Sequence, residues 1–200
     1  MRYPKLREIK YALYALLTKP YTSGFPFKPY TPCASFRGKP YLHEDDCVGC
    51  TACVNVCPTG ALSFKDVSTG AGYKRVLKIN WNICIQCGQC QLNCLTEKGI
   101  LLSNEFDMTT TEDKNELFQV IEKEMAVCEC CRQPIACVDH IKWTINKLGP
   151  LYTSNTSLIT FKQRELLISE TLPKSSKEPL RSDRFSLLCP RCRREAVFSS

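Results

Sequence analysis

The chain is constrained most by a run of cysteines at residues 47–57. Cys47, Cys50, Cys53 and Cys57 follow the pattern C-x2-C-x2-C-x3-C, and Pro58 comes directly after them. This is the spacing of the bacterial type of ligand run for a [4Fe–4S] cluster. Three cysteines at intervals of three residues wrap a loop around one face of such a cluster, while the fourth points away. A fold built on this run must form around inorganic cofactors.

The run occurs twice, which predicts two clusters with exchanged ligands. The second copy has the same spacing of cysteines, at residues 84–94. In two-cluster ferredoxins the fourth cysteine of each run ligates the cluster of the other run. The predicted ligands of the first cluster are therefore Cys47, Cys50, Cys53 and Cys94, and those of the second are Cys84, Cys87, Cys90 and Cys57.

Other uses of these cysteines fit the pattern less well. Two zinc sites favour isolated C-x2-C pairs over evenly spaced triplets, and a disulfide framework requires a secreted chain. No apolar run approaches the roughly 18–20 residues that span a bilayer, and the run from Tyr11 to Leu17 is not followed by a small-residue cleavage site. We expect no signal peptide and a reducing, cytoplasmic compartment.

The first 42 residues form a basic arm. They carry eight basic side chains and one acidic one, so the whole net charge of +7 lies there, and the remaining 158 residues balance to zero. Residues 4–18 predict a helix stopped by Pro20, because apolar residues recur along one stripe. Residues 20–40 hold five prolines among aromatic residues and predict an extended segment. The stripe consists of Leu6, Ile9, Leu13, Leu16 and Leu17.

A basic amphipathic arm of this kind is expected to lie on a membrane surface or to dock on a partner. Packing on its own domain is the alternative. Nucleic-acid binding is disfavoured, because no nucleic-acid motif accompanies the bases and aromatic side chains.

Between and after the cysteine runs the pattern predicts both strands and helices. Residues 61–64 and 76–79 read as strands on either side of a turn at 68–72. Leu117, Val120, Ile121 and Met125 predict one face of a helix over 111–127. A second helix is predicted from Asp139, as its N-cap, to Leu148. Residues 150–185 have no clear assignment.

Four more cysteines predict a third metal site. Cys128, Cys131, Cys189 and Cys192 form two C-x2-C pairs, the ligand arrangement of a tetrahedral zinc or iron site, although 57 residues separate the pairs. Cys130 could replace Cys128 in this set. Cys33 and Cys137 have no assigned role. His43 and His140 are solitary, so no catalytic site is predicted for the chain itself, which we expect to serve as a subunit of an oxidoreductase complex.

The chain resembles the two-cluster ferredoxin-like electron-transfer subunits of complex I and of membrane-bound group 4 [NiFe]-hydrogenases. The residues that carry the resemblance are both cysteine runs and the preceding Phe-Arg-Gly-Lys segment at 36–39. In the second run Leu95 replaces the proline, and the exit from the loop is two residues longer than in the first run. Residues 125–135 and 188–194 are similar to the C-terminal extension of the formate hydrogenlyase ferredoxin subunit.

The resemblance implies an α+β fold: a pseudo-twofold bacterial ferredoxin-like 2[4Fe–4S] domain with an extended N-terminal arm and a C-terminal metal-ribbon extension. The expected division is an amphipathic helix and docking arm at 1–42, the ferredoxin domain at 43–105, and a helical segment with a four-cysteine zinc-ribbon or rubredoxin-like site at 106–200.

The function implied by this resemblance is electron relay at the cytoplasmic side of the cell membrane. Electrons would pass between a donor module, which is a formate or carbon monoxide dehydrogenase module or ferredoxin, and a membrane-bound [NiFe]-hydrogenase. Implied partners are the hydrogenase small and large subunits, other peripheral-arm subunits, and membrane-embedded subunits bound through the arm. Two alternatives stay open: a subunit of a quinone-reducing complex I-type assembly, and a soluble ferredoxin-like carrier.

Overall fold

A computed structural model describes residues 5–18, 24–70, 72–110, 114–166 and 186–198. The chain divides into two compact units, Met1–Phe36 and Arg37–Ser200. Pro20, the predicted stop of the first helix, lies outside the described residues, as does the segment 167–185.

The first unit contains the predicted amphipathic helix. Helix α1 spans Leu6–Leu17, and the backbone N–H of Lys5 donates to the Glu8 carboxylate at 3.0 Å. This confirms the helix expected over 4–18, with slightly shorter bounds. None of its residues is buried, and Leu6 and Leu17 are 87% and 86% exposed. The apolar stripe is thus present but uncovered among the described residues.

The second unit is built on two antiparallel sheets. The strands are β1 (Pro40–Leu42), β2 (Leu62–Thr69), β3 (Gly72–Asn80), β4 (Ile100–Leu102), β5 (Phe118–Val127) and β6 (Pro134–Cys137). Strands β1 and β4 form a two-stranded sheet, and the other strands form a four-stranded sheet in the order β2-β3-β5-β6.

The hairpin of β2 and β3 is the predicted one, although both strands extend beyond the expected four residues. Its register pairs Leu62 with Ile79 and Thr69 with Gly72. The side chains of Leu62, Leu77 and Ile79 are buried and enter the main core beside the cysteine loops. The apolar ends of the hairpin therefore hold the two runs together.

Strand β5 corrects the helix predicted over 111–127. Residues 118–125 pair with β3, with Leu77 opposite Ile121. The spacing of apolar residues was misleading because Lys123 is itself buried, at 8% exposure. Counting Lys123 as an inward position restores the alternation of Ile121, Lys123 and Met125 that a strand requires. Residues 111–113 lie outside the described part.

The side chain of Gln119 joins the two sheets. Its amide oxygen accepts from the N–H of Leu42 at 2.8 Å, and its amide nitrogen donates to the Leu42 carbonyl at 2.8 Å. One side chain thereby satisfies both backbone groups of Leu42, since unpaired backbone groups are costly when buried.

Helices complete the second unit. The predicted helix from residue 139 is present, but its N-cap is Cys137 and not Asp139; Asp139 lies in the first turn, where its carboxylate accepts from Lys123. Asn155 caps the helix that follows, accepting from the N–H of Ser157 at 2.9 Å. The α-helices described in the second unit are α2 (Ala52–Asn55), α3 (Gln89–Leu92), α4 (Val138–Leu148), α5 (Thr156–Glu165) and α6 (Pro190–Phe198).

Among the helices of the described residues, none has the length and apolar character needed to cross a membrane. The larger sheet joins strands on both sides of residue 105. The division into 1–42, 43–105 and 106–200 stays a prediction.

Candidate cluster and metal centres

The two cysteine loops share one backbone conformation. Positive φ angles occur at Gly49 and Thr51 in the first loop (70° and 64°) and, 37 residues later, at Gln86 and Gly88 (54° and 78°). A one-turn helix follows in each case, α2 in the first loop and α3 in the second. Residues other than glycine rarely adopt the left-handed region, so the repeat of these angles points to one shared loop geometry.

Each predicted set of four cysteines lines its own cavity. The first cavity, with about 320 Å³ of empty volume, is lined by the three leading cysteines of the first run together with Cys94. The second, with about 390 Å³, is lined by Cys57 and the three leading cysteines of the second run. The fold therefore brings together the eight cysteines in the exchanged grouping that the sequence predicts.

The thiols of these cavities are suited to a cationic cofactor. Burial, with a smaller contribution from neighbouring thiols, raises the pKa of Cys53 to about 12 and that of Cys90 to about 11. Only thiolates ligate iron, so these buried groups require the positive charge of bound metal to lose their protons. A set of four sulfurs around an apolar cavity fits an iron–sulfur cluster.

The fourth cysteine of each run has polar support. The Cys57 sulfur lies 3.7 Å from the Thr59 hydroxyl, and the Cys94 sulfur lies 3.5 Å from the Thr96 hydroxyl. Burial opposes ionisation of both thiols, but these hydroxyls and nearby backbone N–H groups lower the pKa of each below its usual value. The longer exit after Cys94 leaves this arrangement intact.

The Phe-Arg-Gly-Lys segment contacts the second loop. Arg37 Nη1 donates to the Cys87 carbonyl at 3.2 Å. Gly38 packs so closely on the backbone of Glu105 that a Cβ at this position has no room. The segment is thus a structural brace for the second cysteine loop, a role that the sequence did not indicate.

The first loop is braced by residues from outside the repeats. Arg75 Nη1 donates to the Gly49 carbonyl at 3.0 Å, and the Cys137 sulfur lies 3.6 Å from the same oxygen. Lys123 Nζ binds the Glu44 carbonyl and the Asp139 carboxylate. The sequence did not single out Arg75 or Lys123, and it marked Cys137 only as a cysteine without an assigned role.

The four C-terminal cysteines converge. The sulfurs of Cys128, Cys131, Cys189 and Cys192 lie within 4.8 Å of one another, and this group does not include Cys130. The Cys131 and Cys189 sulfurs are 3.7 Å apart. Helix α6 begins at Pro190, so the second pair of cysteines lies at a helix start.

Hydrogen bonds within this group shift the pKa values of its thiols in opposite directions. Burial raises the pKa of Cys128, but the N–H groups of Cys131, Cys189 and Cys130 outweigh it and lower the pKa to about 7. Burial and bonds to neighbouring sulfurs raise the pKa of Cys192. Four thiolates at these distances need a metal cation to balance them, so the donor set fits a tetrahedral ion.

The remaining candidates join none of these groups. Cys33 is exposed in the first unit and lies 3.3 Å from the Ser35 hydroxyl. His43 is exposed, and His140 is half-buried in α4, where burial lowers its pKa.

Comparisons with known proteins identify the two cysteine runs as part of a known domain. Residues 46–98 match the family described as 4Fe-4S dicluster domain. Fold and site together define a dicluster iron–sulfur protein. Formate hydrogenlyase subunit 6 of Escherichia coli (strain K12) is 33% identical over 130 residues, which are 62% of this chain and 67% of that protein. The chain belongs to this family of [4Fe–4S] electron-transfer subunits.

Quinone oxidoreductase subunits are also similar. NAD(P)H-quinone oxidoreductase subunit I of Gloeobacter violaceus is 29% identical over 103 residues, 50% of this chain and 48% of that protein. NADH-quinone oxidoreductase subunit I 2 of Geobacter metallireducens is 27% identical over 121 residues, 58% of this chain and 92% of that protein.

A chain from the membrane-bound sulfane sulfur reductase, an archaeal respiratory membrane complex, shares 26% identity over 58% of this chain and 62% of its own, with a TM-score of 0.39.

Proposed function

We propose that this chain relays electrons through two [4Fe–4S] clusters, held by the exchanged sets of cysteines, between a donor module and a membrane-bound [NiFe]-hydrogenase. The donor is a formate or carbon monoxide dehydrogenase module, or reduced ferredoxin. The observation that supports this most directly is the pair of cavities, each lined by three cysteines of one run and the fourth of the other. Bound clusters supply one-electron carriers, and the protein holds them in place.

The repeated loop geometry supports a pseudo-twofold ferredoxin-like domain around the clusters. The equivalent positive φ angles 37 residues apart, at Gly49 and Gln86 and again at Thr51 and Gly88, are what two related halves require. In such a domain each half donates one ligand to the other, so neither half assembles its cluster alone.

The test uses the full chain, purified without oxygen. We expect about eight irons and eight sulfides for the two cubanes. Cys57→Ser is expected to perturb the electron paramagnetic resonance signal of the second cluster, and Cys94→Ser that of the first. Loss of the first cluster in Cys57→Ser, and of the second in Cys94→Ser, would contradict the exchanged assignment.

We also propose a single zinc or iron ion between the two C-terminal pairs of cysteines. Such an ion closes residues 132–188 into a loop, so that metal binding contributes to folding of the extension. Elemental analysis is expected to find one further metal per chain. Cys131→Ser should lose this metal and keep both clusters, whereas the control Cys130→Ser should keep all three centres. Loss of the metal in both variants, or no third metal in the wild-type chain, would contradict the site.

The proposed setting is the cytoplasmic side of the cell membrane, as a peripheral subunit. The chain would contact the hydrogenase small and large subunits and other peripheral-arm subunits, with the arm on membrane-embedded subunits. The 33% identity to formate hydrogenlyase subunit 6 supports this choice of complex. Affinity purification of the tagged chain from membranes, followed by identification of the other subunits, tests it.

The similarity to quinone oxidoreductase subunits favours a second candidate, a place in a quinone-reducing assembly. The same purification separates the two candidates: hydrogenase subunits among the co-purified proteins support the first, and a quinone-reducing core supports the second. Recovery of the chain with no partner would support a soluble carrier.

A further inference from the structure

The two cysteine loops resemble each other in backbone but differ in the charge beside them. On the first loop, the carbonyl of Gly49 receives Arg75 and faces the thiol of Cys137. Arg75 is fixed in turn by two bonds to the Asp66 carboxylate, at 2.7 and 2.8 Å. Its side chain is only 14% exposed. A guanidinium is thus held under the first cysteine loop.

Lys123 adds a second buried cation at the same loop. It projects from β5, and its ammonium group bonds the Glu44 carbonyl, just before Cys47, and the Asp139 carboxylate at 3.0 Å. The Lys123 side chain is 9% exposed, whereas that of its counter-ion Asp139 is 46% exposed. Water screens the exposed carboxylate more than the buried ammonium, so this ion pair contributes net positive charge at the loop, whereas the charges of the Arg75–Asp66 pair, with side chains 14% and 24% exposed, largely offset each other.

The second loop has a different electrostatic environment. Its contact is Arg37, whose guanidinium donates to the Cys87 carbonyl but is exposed to solvent. An exposed cation is screened by water and salt, while a buried one acts through a lower effective dielectric constant.

Reduction of a cluster adds one negative charge without breaking a bond. A nearby buried cation stabilises the reduced form and raises the reduction potential; hydrogen bonds and burial act through the same balance. We propose that Lys123, supported by Arg75, makes the cluster of the first set (Cys47, Cys50, Cys53, Cys94) the higher-potential one, where the first electron resides. This inference rests on the proposed ligand sets.

The inference gives the C-terminal extension a role in electron transfer. Lys123, Cys137 and Asp139 all follow the ferredoxin repeats in the chain and reach the first loop through strands β5 and β6 and the start of α4. They are positioning residues, and none of them is a predicted cluster ligand. The extension therefore acts on one cluster and not on both.

The test is an anaerobic redox titration of the full chain with both clusters assembled, followed by electron paramagnetic resonance. The Cys87→Ser variant identifies the second-cluster signal, because Cys87 belongs to the second run whichever run supplies the fourth ligand. In the wild type we expect the first cluster to reduce first. Lys123→Met should lower its reduced-to-oxidised ratio at a fixed potential about tenfold, which is about 59 mV for one electron, and leave the second cluster unchanged. Asp139→Asn should shift the first cluster the opposite way.

Lys74→Met is the matched control. Lys74 lies on the neighbouring strand β3 and pairs with Glu122, but both side chains are exposed, at 43% and 54%. Lys74→Met removes the same charge as Lys123→Met, but from an exposed side chain. The reduction potential of neither cluster should therefore change. Should Lys123→Met fail to assemble clusters, the opposite shift in Asp139→Asn carries the test.

Three results would overturn the inference: an unchanged first-cluster potential in Asp139→Asn, equal shifts of both clusters in Lys123→Met, or prior reduction of the second cluster in the wild type. A wild-type protein without two four-iron signals would instead overturn the ligand sets themselves. The two failures are distinguishable because a failure of the ligand sets appears already in the wild-type protein, before Lys123 or Asp139 is substituted.

Discussion

At the scale of single residues, Gly49 has two separate reasons to be glycine. Its φ of 70° lies in the left-handed region, and a Cβ built on it would lie 2.6 Å from the Cys137 sulfur. Gly60 shares the first reason, with a φ of 67°, but has nothing within 4 Å. Comparing Gly49 with Gly60 therefore distinguishes the effect of backbone strain from that of the steric contact between the first cysteine loop and Cys137.

We predict that Gly49→Ala destabilises the clusters more than Gly60→Ala. Both substitutions incur the left-handed penalty of about 1–2 kcal/mol, and Gly49→Ala adds an overpacking term of about 1–3 kcal/mol. The measurement is the rate at which the visible absorbance of the clusters is lost in denaturant. The double variant Gly49→Ala/Cys137→Ala should return to the level of Gly60→Ala. Equal rates for the two single variants would show that the contact with Cys137 contributes nothing.

At the scale of elements, β5 decides how the extension joins the ferredoxin repeats. Ile121 is buried opposite Leu77 of β3, while its neighbour Val120 is 51% exposed. The helix predicted over the same residues would have placed both side chains on its apolar face. A strand places them on opposite faces, so substituting each side chain in turn distinguishes the strand from the predicted helix.

We predict that Ile121→Ala lowers the free energy of unfolding by about 2–5 kcal/mol, as expected for truncation of a buried side chain. Val120→Ala, the control on the same strand, should change it by less than about 0.5 kcal/mol. Urea unfolding followed by circular dichroism measures both. Similar losses for the two variants would argue against the strand.

At the scale of the whole molecule, the two compact units suggest where the arm ends. The strand β1 begins at Pro40 and pairs with β4, and the Trp81 indole donates to the Pro40 carbonyl at 2.9 Å. Arg37 braces the second cysteine loop. A truncation that tests the arm alone must therefore stop at residue 36, at the boundary between the units.

We predict that deletion of residues 1–36 leaves both clusters assembled and releases the chain from its membrane complex. None of the predicted ligands lies in this segment, whereas the stripe of α1 is exposed among the described residues. High salt should weaken attachment of the full chain only in part, because salt screens charge but not apolar burial. The measurement is recovery of the tagged chains from membranes at low and high salt. Equal recovery of both chains would assign docking to the second unit.

Local spacing was enough to predict the three leading cysteines of each set and helix α1. Ligands two or three residues apart are brought to one loop by the chain itself, and one turn of helix repeats over a few residues. Leu6 and Leu17 therefore indicated a helix without any knowledge of their neighbours. The two C-x2-C pairs were also visible, but their meeting across 57 residues was an expectation that only the folded chain brings about.

The tertiary structure decided what distance along the chain conceals. Residues 118–127 became a strand because β3 offers an edge to pair with, and pairing between residues as far apart as Leu77 and Ile121 leaves no local signature. For the same reason nothing in the sequence linked Arg75, Lys123 and Cys137 to the first cysteine loop. Ligand identity is a property of short segments, whereas the charge and packing around a ligand loop belong to elements that meet only after folding.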